Sequence, residues 1–362
     1  MKTVVFTHND LDGVACGIVA LSYFPDANVH YCSYQNIESV MRMFIELHKG
    51  DVLNSPLDLK GYRLIISDIS FKQNSGLAEL INQSHFGSII IADHHKTSLW
   101  MNHYKFHAQA VYRSIESDGD YSAAMLLNNL LYDTHYGNNI NGEEIYGPVT
   151  TVLDWFSSIV SDWDTWAWAD NISSKNPYVV DAMMNDQSYF LSTLMNTVSI
   201  SAFVSRFVMG INSVKAIEGK WKSKADFTYF LKSVFTEEEL ENTRAVIEKS
   251  FVLMKDMVVY NKTIHTREYG DIQFGWVALQ DYSQTSIASE YIKQTGMLKE
   301  DNKFLAMVSG ENPKGVSLRL PSNGIDLSAI ATEFGGGGHV NAAGCDYGEF
   351  TSKVLPNSDE EK

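Results

Sequence analysis

The N-terminal part of the chain alternates between short apolar runs and segments in which apolar residues recur at helical spacing. The β-branched and aromatic runs predict strands at residues 3–7, 28–32, 63–67 and 88–92. The segments between them predict helices at residues 14–24, 37–48 and 75–86. Strands that alternate with helices form a mostly parallel sheet covered by helices on both faces. The pattern therefore predicts an α/β domain.

The pattern changes twice after these elements. From Tyr121 to about Phe251 the apolar spacing is mainly helical, and after Asp256 strand-like runs return at residues 257–260, 274–279, 304–309 and 316–320. A glycine run follows at Gly335 to Gly338. We therefore predict an α/β domain over residues 1–190, a helical connector over 191–255, a smaller α/β domain over 256–352 and a disordered tail over 353–362.

Acidic and histidine side chains follow three of the predicted strands directly. They are His8, Asp10 and Asp12 after the first strand, Asp68 after the third, and Asp93, His94 and His95 after the fourth. In parallel α/β sheets the ligand site lies at the carboxyl ends of the strands. The three strand ends therefore deliver potential metal ligands to one edge of the sheet.

These residue types suit divalent cations. His8, Asp10 and Asp12 stand at alternate positions of an extended strand end, so all three can face one site. With Asp68, His94 and either Asp162 or Asp164, the set contains four carboxylates and two imidazoles, which suits two Mn²⁺ ions, with Mg²⁺ or Co²⁺ as substitutes. A pair of such ions activates a water and stabilises charge on a phosphoryl group. The chemistry indicated is phosphoester hydrolysis.

Charge restricts the substrates that the protein can hold. The chain of 362 residues has 44 acidic and 28 basic side chains and a formal charge of -16, which argues against binding long duplex DNA. Four carboxylates would balance two divalent cations, so a bound phosphodiester needs further cationic groups nearby. The candidates are His95, Lys96, Arg319 and His339.

The remaining composition indicates a reduced, intracellular setting. Cys16, Cys32 and Cys345 are odd in number and far apart, which predicts neither a disulfide framework nor a zinc knuckle. The first apolar run is too short for a signal peptide or a membrane span. We expect a cytoplasmic protein without membrane association.

Five sequence segments resemble the motifs of a known family. THNDLDG at residues 7–13, ISD at 66–68, IADHHKT at 91–97 and WDTW at 163–166 are similar, in order and spacing, to the four motifs of the DHH phosphoesterases. GGGGHVNAAG at 335–344 resembles the signature of the DHHA1 domain that accompanies them. The resemblance covers nearly the whole chain. It implies a DHH domain, a smaller DHHA1 substrate-binding domain and an active site in the cleft between them.

The resemblance also implies roles for individual residues. His8 and Asp10 would bind one manganese, Asp12, His94 and Asp164 the other, and Asp68 would bridge both. Asp164 is favoured over Asp162 because it precedes Thr165 as in the family motif. Asp93 would orient the two histidines, and His95 would contact the scissile phosphate with Lys96 beside it. The groups expected to hold the terminal phosphate or base of the substrate are Arg319, Gly336, Gly337, Gly338 and His339.

Within the family, the HNDLDG and WDTW forms are most similar to the oligoribonuclease subgroup. This implies manganese-dependent hydrolysis of short single-stranded oligonucleotides to nucleoside 5'-monophosphates. Three alternatives stay open: a phosphodiesterase for cyclic nucleotides, a RecJ-type 5'-3' single-strand exonuclease, and a nucleotide sensor without catalysis. The charge of -16 and the lack of a basic run disfavour the exonuclease. A homodimer also stays open, and residues 170–255 match no motif.

Two further groups of residues are explained by packing or solvent exposure rather than by a role in function. Trp155, Trp163, Trp166 and Trp168 could stack on nucleobases, but large aromatic side chains around a motif more often pack the core. His103 and His107 have the helical spacing of a metal pair, yet no carboxylate stands near them in the sequence. We expect core tryptophans and surface histidines.

Overall fold

The computed structural model describes residues 1–48, 58–116, 121–136, 149–168, 184–214, 224–260, 264–279, 285–294, 296–309, 313–320 and 324–354. The chain forms two compact units, Met1–Asn171 with Asp186–Thr243, and Ile172–Asn185 with Arg244–Lys362. The boundary after Thr243 falls inside one long helix, Glu237–Tyr260.

The first unit is built on a five-stranded parallel sheet. Its strands are β1 (Lys2–His8), β2 (Asn28–Cys32), β3 (Tyr62–Ser67), β4 (Ser88–Asp93) and β5 (Ala110–Ile115). The helices are α1 (Leu11–Tyr23), α2 (Ile37–Leu47), α3 (Leu77–Gln83), α4 (Ala123–Tyr136), α5 (Val149–Asp164), α6 (Gln187–Val198), α7 (Ile200–Val214), α8 (Lys224–Val234) and α9 (Glu237–Tyr260), with a 3-10 helix at Lys96–Asn102. The strand order is β2-β1-β3-β4-β5, so the predicted α/β class with a mostly parallel sheet is confirmed.

Both faces of this sheet are buried, which explains the continuous apolar runs in its strands. Val5, Ile65 and Ile90 are paired across β1, β3 and β4 and pack on the side of α1, α4 and α5. Their neighbours Phe6 and Ile66 point to the other side, where α2 and α3 cover them. Apolar packing on both faces fixes the three central strands side by side, with their carboxyl ends at one edge.

The helices that follow belong to the same core. Leu191 on α6, Phe203 and Phe207 on α7 and Phe227 on α8 are fully buried together with residues of α1 and α5. The predicted connector over residues 191–255 is therefore divided, since its helices up to Thr243 belong to the first unit. That residues 191–255 connect two functional domains stays a prediction.

The second unit contains a six-stranded mixed sheet of order β10-β11-β9-β8-β7-β6. Its elements are β6 (His265–Tyr269), β7 (Ile272–Leu279), α10 (Thr285–Gln294), β8 (Leu305–Ser309), β9 (Gly315–Arg319), α11 (Leu327–Glu333), β10 (Gly337–Gly338), β11 (Ala342–Asp346) and α12 (Tyr347–Val354). Neighbouring strands are antiparallel except β7 and β8. Phe274, Phe304 and Phe334 lie in its buried core.

Two local predictions differ from this structure. The strand predicted at residues 257–260 is wrong, because these residues form the last turn of α9, a helix that begins with three glutamates in its first turn. Lys353 and Val354, which were predicted to belong to a disordered tail, instead end α12. Residues 355–362 lie outside the described residues.

Among the described helices, no single one has both the length and the apolar composition to cross a membrane. Gln187–Val198 and Ile200–Ser213 reach that length and composition only as a pair, and the pair is bent by 119°.

Candidate metal centre

The candidate site forms where the three central strands end. β1 ends at His8, β3 is followed by Asp68, and β4 ends at Asp93, immediately before His94. Asp68 adopts a left-handed backbone conformation with φ of 56°, which is uncommon for a residue other than glycine. Its backbone N–H donates to Ala92 O at 3.0 Å on the adjacent strand. Such backbone strain is concentrated at functional sites.

One cluster consists of His8, Asp10 and Asp68, whose candidate ligand atoms lie within 4.8 Å of one another. His8 Nδ1 is 2.7 Å from Asp10 Oδ2 and 4.0 Å from Asp68 Oδ2. Asp10 is also the N-cap of α1, since its Oδ1 accepts from Gly13 N at 3.0 Å. The residues predicted to bind the first ion are thus brought together.

A second cluster consists of Asp12, His94 and Asp164. His94 Nε2 lies 3.1 Å from Asp164 Oδ2, 3.6 Å from Asp12 Oδ2 and 3.5 Å from Asp68 Oδ1. Asp12 and His94 are buried. Of the two aspartates considered in the fourth motif, Asp164 is the one in this cluster. The residues predicted to bind the second ion are also brought together, with Asp68 next to both clusters.

Asp93 holds His95 in place. Asp93 Oδ1 accepts from the backbone N–H of His95 at 3.0 Å and lies 2.8 Å from His95 Nδ1. His94 packs edge-on against the His95 ring, with 4.5 Å between the ring centroids. Burial disfavours the charged imidazole, but Asp93 and the more distant Asp164 and Asp10 outweigh it and raise the pKa of His95 to about 9. Contact with Asp93 thus favours the charged form of the His95 imidazole.

The concentration of carboxylates shifts their own pKa values. Burial and the charges of Asp10 and Asp12 raise the pKa of Asp68 well above its ordinary range. Burial and the neighbouring Asp164 raise the pKa of Asp12 to about 6. Asp10 differs: burial opposes ionisation, yet contact with His8 holds its pKa below the usual range. Ionised together, these groups need cations beside them.

The donor set fits a divalent metal. Carboxylate oxygens and imidazole nitrogens are the ligands of Mn²⁺ and related ions, and the buried acidic and histidine groups described above could hold a metal ion. Lys96, the first residue of the 3-10 helix, is exposed.

The remaining predicted residues, Arg319, the glycine run and His339, belong to the second unit. Arg319 ends β9 and donates through its guanidinium Nη1 to Leu318 O at 2.8 Å and to Ala343 O of β11 at 3.2 Å. Gly337 and Gly338 form β10, which pairs with β11. His339 N donates to Ala342 O at 2.7 Å in the turn between these strands. Sheet pairing thus places the glycine run and Arg319 on the two strands that flank β11, with His339 in the turn between β10 and β11.

Two of these glycines are required by close backbone contacts. A Cβ on Gly336 would lie 1.9 Å from Gly344 O, and one on Gly338, whose φ is 136°, would lie 2.7 Å from Ala342 O. A side chain at either position would displace β11. The glycine run therefore has a structural reason that is independent of substrate binding.

Sequence reasoning missed Tyr34. This residue follows β2, its side chain is 48% exposed, and its ring centroid lies 5.1 Å from that of His8 and 6.2 Å from that of His95. The signal was available, because Tyr34 follows a predicted strand in the same way as the acidic residues do. The prediction considered only acidic and histidine side chains at strand ends, which left out an aromatic residue.

The tryptophans pack mostly with one another. Trp163 and Trp166 each stack on Trp168, with centroids 5.5 Å apart, and Trp168 is fully buried. Tyr189 of α6 continues the stack. This arrangement favours the core interpretation. His103 and His107 are exposed and belong to none of the metal-type clusters found among the described residues.

The chain was compared with known proteins. It is 26% identical over 348 residues to oligoribonuclease NrnB of Bacillus subtilis (strain 168), a match that covers 94% of this chain and 72% of that protein. Among solved structures, the DHH domain of a member of a ribosomal protein family superposes with a TM-score of 0.55 at 14% identity, covering 98% of this chain and 85% of that one. The predicted resemblance to the DHH phosphoesterases is confirmed.

Another solved structure that matches is the pGpG-specific phosphodiesterase PggH from Vibrio cholerae, with a TM-score of 0.46 at 13% identity, covering 99% of this chain and 95% of that one. No family model matches the chain. In this structure the four DHH-type motifs contribute all the residues of the clusters around Asp68: the first gives His8, Asp10 and Asp12, the second Asp68, the third Asp93, His94 and His95, and the fourth Asp164.

Proposed function

We propose that this protein is a manganese-dependent phosphodiesterase that hydrolyses short oligonucleotides to nucleoside 5'-monophosphates. The observation that carries the proposal is the place of Asp68 between two ligand clusters. One of its oxygens lies 4.0 Å from His8 Nδ1 and the other 3.5 Å from His94 Nε2. A carboxylate in this position is suited to bridge two cations.

The residues divide between the two cations as the clusters do. His8 and Asp10 would hold one ion, Asp12, His94 and Asp164 would hold the other, and Asp68 would serve both. When bound, such a pair of ions lowers the pKa of a water and offsets charge on the phosphoryl group under attack. Asp93 orients the His95 ring and favours its charged form, so that His95 can donate a hydrogen bond to a phosphate oxygen beside the site.

Short substrates are supported by three observations. The similarity to the Bacillus oligoribonuclease extends over 94% of the chain. A formal charge of -16 disfavours long nucleic acids, which bind through extended basic surfaces. Tyr34 offers a half-exposed aromatic ring beside His8 and His95, where a nucleobase next to the scissile phosphate can stack. Arg319, the glycine run and His339 are proposed to hold the far end of the substrate.

The test is product analysis with purified protein and manganese. A 5'-phosphorylated RNA dinucleotide, a cyclic dinucleotide and a longer single strand are each incubated with the wild-type chain and with two variants. Asp164→Asn removes one charged member of the second cluster and is expected to lower the rate by about a hundredfold or more. Asp162→Asn, two residues away, is the matched control and retains the wild-type rate.

Nucleoside monophosphates formed fastest from the linear dinucleotide, and lost in Asp164→Asn only, are the expected result. An intact dinucleotide after incubation with the manganese-loaded protein contradicts the proposal. Faster turnover of the cyclic dinucleotide would assign the chain to the cyclic-nucleotide alternative instead. The cytoplasmic location and a homodimeric assembly stay predictions that this experiment does not address.

A further inference from the structure

One hydrogen bond joins the start of α4 to the C-terminal part of α5, behind the second ligand cluster. Ser161 Oγ, on α5, accepts from the backbone N–H of Ser122 at 3.0 Å. Ser122 immediately precedes α4, and both serines are buried. The bond connects residues 39 positions apart in the chain. It therefore fixes how far the start of α4 lies from the C-terminal part of α5.

The start of α4 holds Asp12. The backbone N–H groups of Ala123 and Ala124 donate to the two carboxylate oxygens of Asp12 at 2.7 and 2.9 Å. These are the first N–H groups of a helix, which have no partner within the helix and carry the positive end of its dipole. The orientation of Asp12 is thus set by the position of α4.

The C-terminal part of α5 holds Asp164, three residues after Ser161. Ser161 O accepts from Thr165 N at 2.9 Å and from Thr165 Oγ1 at 2.8 Å, which closes the last turn of the helix around Asp164. Ser161 therefore contacts both supports: its hydroxyl binds the segment that orients Asp12, and its carbonyl binds the turn that carries Asp164.

We propose that Ser161 is a positioning residue that sets the separation of the Asp12 and Asp164 carboxylates and thereby the affinity of the second cluster for a divalent cation. Both carboxylates face His94 Nε2, at 3.6 and 3.1 Å. Another hydrogen bond between α4 and α5, from Asn128 to Asp154, lies further along both helices. Without the Ser161 bond, the start of α4 and the C-terminal part of α5 lose their own link, and the three ligands converge less closely. The inference rests on the proposed metal-dependent function.

The same helix provides a matched control. Ser157 lies one turn before Ser161 and is equally buried, but its hydroxyl donates to Leu153 O at 2.7 Å within α5. Ser157→Ala and Ser161→Ala therefore delete the same atom from the same helix. Only Ser161→Ala breaks a bond between helices. A merely structural role of buried serine hydroxyls would affect both variants alike.

The experiment is a titration of the full-length chain, freed of metal, with MnCl₂, in which free Mn²⁺ is followed by electron paramagnetic resonance. Ser161→Ala is expected to weaken one of two binding steps by about tenfold, because an outer support of a metal ligand is lost. The other step stays near the wild-type value, and Ser157→Ala changes neither. The manganese concentration that half-saturates dinucleotide hydrolysis rises in Ser161→Ala, while the rate at saturating manganese stays close to that of the wild type.

A further variant covers the case in which Ser161→Ala does not fold. Ser161→Cys keeps the size of the side chain and replaces the oxygen by a weak acceptor, so it weakens the same step. Wild-type manganese affinity in Ser161→Ala or Ser161→Cys, or equal losses in Ser157→Ala, overturns this inference and leaves the proposed function standing. A wild-type chain that binds no Mn²⁺ overturns both.

Discussion

At the scale of single residues, several side chains of the candidate site also hold the fold together. Asp10 caps α1 through Gly13 N while its other oxygen contacts His8. Asp12 lies in the first turn of α1 and accepts from the first N–H groups of α4. A residue with both roles has one rotamer that satisfies its backbone partners, and this fixes the carboxylate before any cation arrives.

Gly13 shows how tightly the first motif is folded. A Cβ at this position would lie 2.2 Å from the carbonyl oxygen of His8, and Thr7 Oγ1 donates to Gly13 O at 2.9 Å. Gly13→Ala is expected to lower the free energy of unfolding by about 3 kcal/mol, since the backbone of β1 must move. Gly61→Ala, where a Cβ meets nothing within 4 Å, is the control and should be nearly neutral. Urea denaturation measures both, and equal stabilities would show that the turn relaxes.

Tyr34 makes a separate prediction about substrate contact. Tyr34→Phe keeps an aromatic face, and Tyr34→Leu removes it while retaining an apolar side chain. Tyr34→Leu is expected to raise KM for a dinucleotide about tenfold with kcat little changed, because stacking on a base contributes about 1–3 kcal/mol. Tyr34→Phe should behave like the wild type. Tyr229→Leu, an exposed tyrosine on α8, serves as control. Equal KM values for the Leu and Phe variants would exclude base stacking at this residue.

At the scale of elements, long apolar runs gave reliable predictions, whereas one edge strand of the parallel sheet was missed. β1, β3 and β4 are buried on both faces, so their runs are continuous and their bounds came within about two residues of the prediction. β5 is an edge strand with a half-buried AVYRSI sequence, and no strand was predicted there. The apolar signal of β5 is weak because its residues are only half-buried.

Helix ends make a prediction that can be measured at this scale. Asp186 is the N-cap of α6, and its Oδ1 accepts from Ser188 N at 2.8 Å and Tyr189 N at 3.0 Å. Asp186→Ala is expected to destabilise the chain by about 1 kcal/mol. Asp133→Ala, at an exposed position inside α4, should change stability by less than half as much because it removes no cap. Calorimetric or chemical denaturation would compare them; a neutral Asp186→Ala contradicts the capping role.

At the scale of the whole molecule, the candidate site lowers the free energy of unfolding when no cation is bound. The pKa values of Asp12 and Asp68 are raised by burial and by neighbouring carboxylates, so ionising these groups disfavours the folded state. The sign follows from linkage: a carboxyl group whose folded pKa lies above its unfolded value binds its proton more tightly when folded. Its stabilising effect is complete below about pH 4 and is lost as the pH rises through the folded value, which for Asp12 is about 6.

Two results are therefore expected in thermal denaturation. In the presence of a chelator, the wild-type chain loses stability between about pH 4 and pH 7, and added manganese restores more stability at about pH 7 than at about pH 5. Asp68→Asn removes one ionisable group and should make the chelated protein more stable than the wild type at pH 7, while abolishing most of the gain from manganese. A chelated Asp68→Asn protein that is less stable than the wild type would contradict this account.

The sequence by itself determined the parallel sheet. It also determined which strands are followed by potential metal ligands, and that these ligands are aspartates and histidines. This was possible because strands that are buried on both faces appear in the sequence as continuous apolar runs, and because the carboxyl ends of parallel strands meet at one edge. A resemblance to known motifs added the division of ligands between two clusters, with Asp68 between them.

Tertiary structure alone decided the contacts between residues far apart in the chain. The inclusion of α6 to α8 in the first core, the half-exposed ring of Tyr34 against two histidines, and the bond from Ser122 to Ser161 have no local signature. Periodicity reports which face of an element is apolar, not which partner covers it. These features follow from packing across long sequence separations, and only the folded chain specifies them.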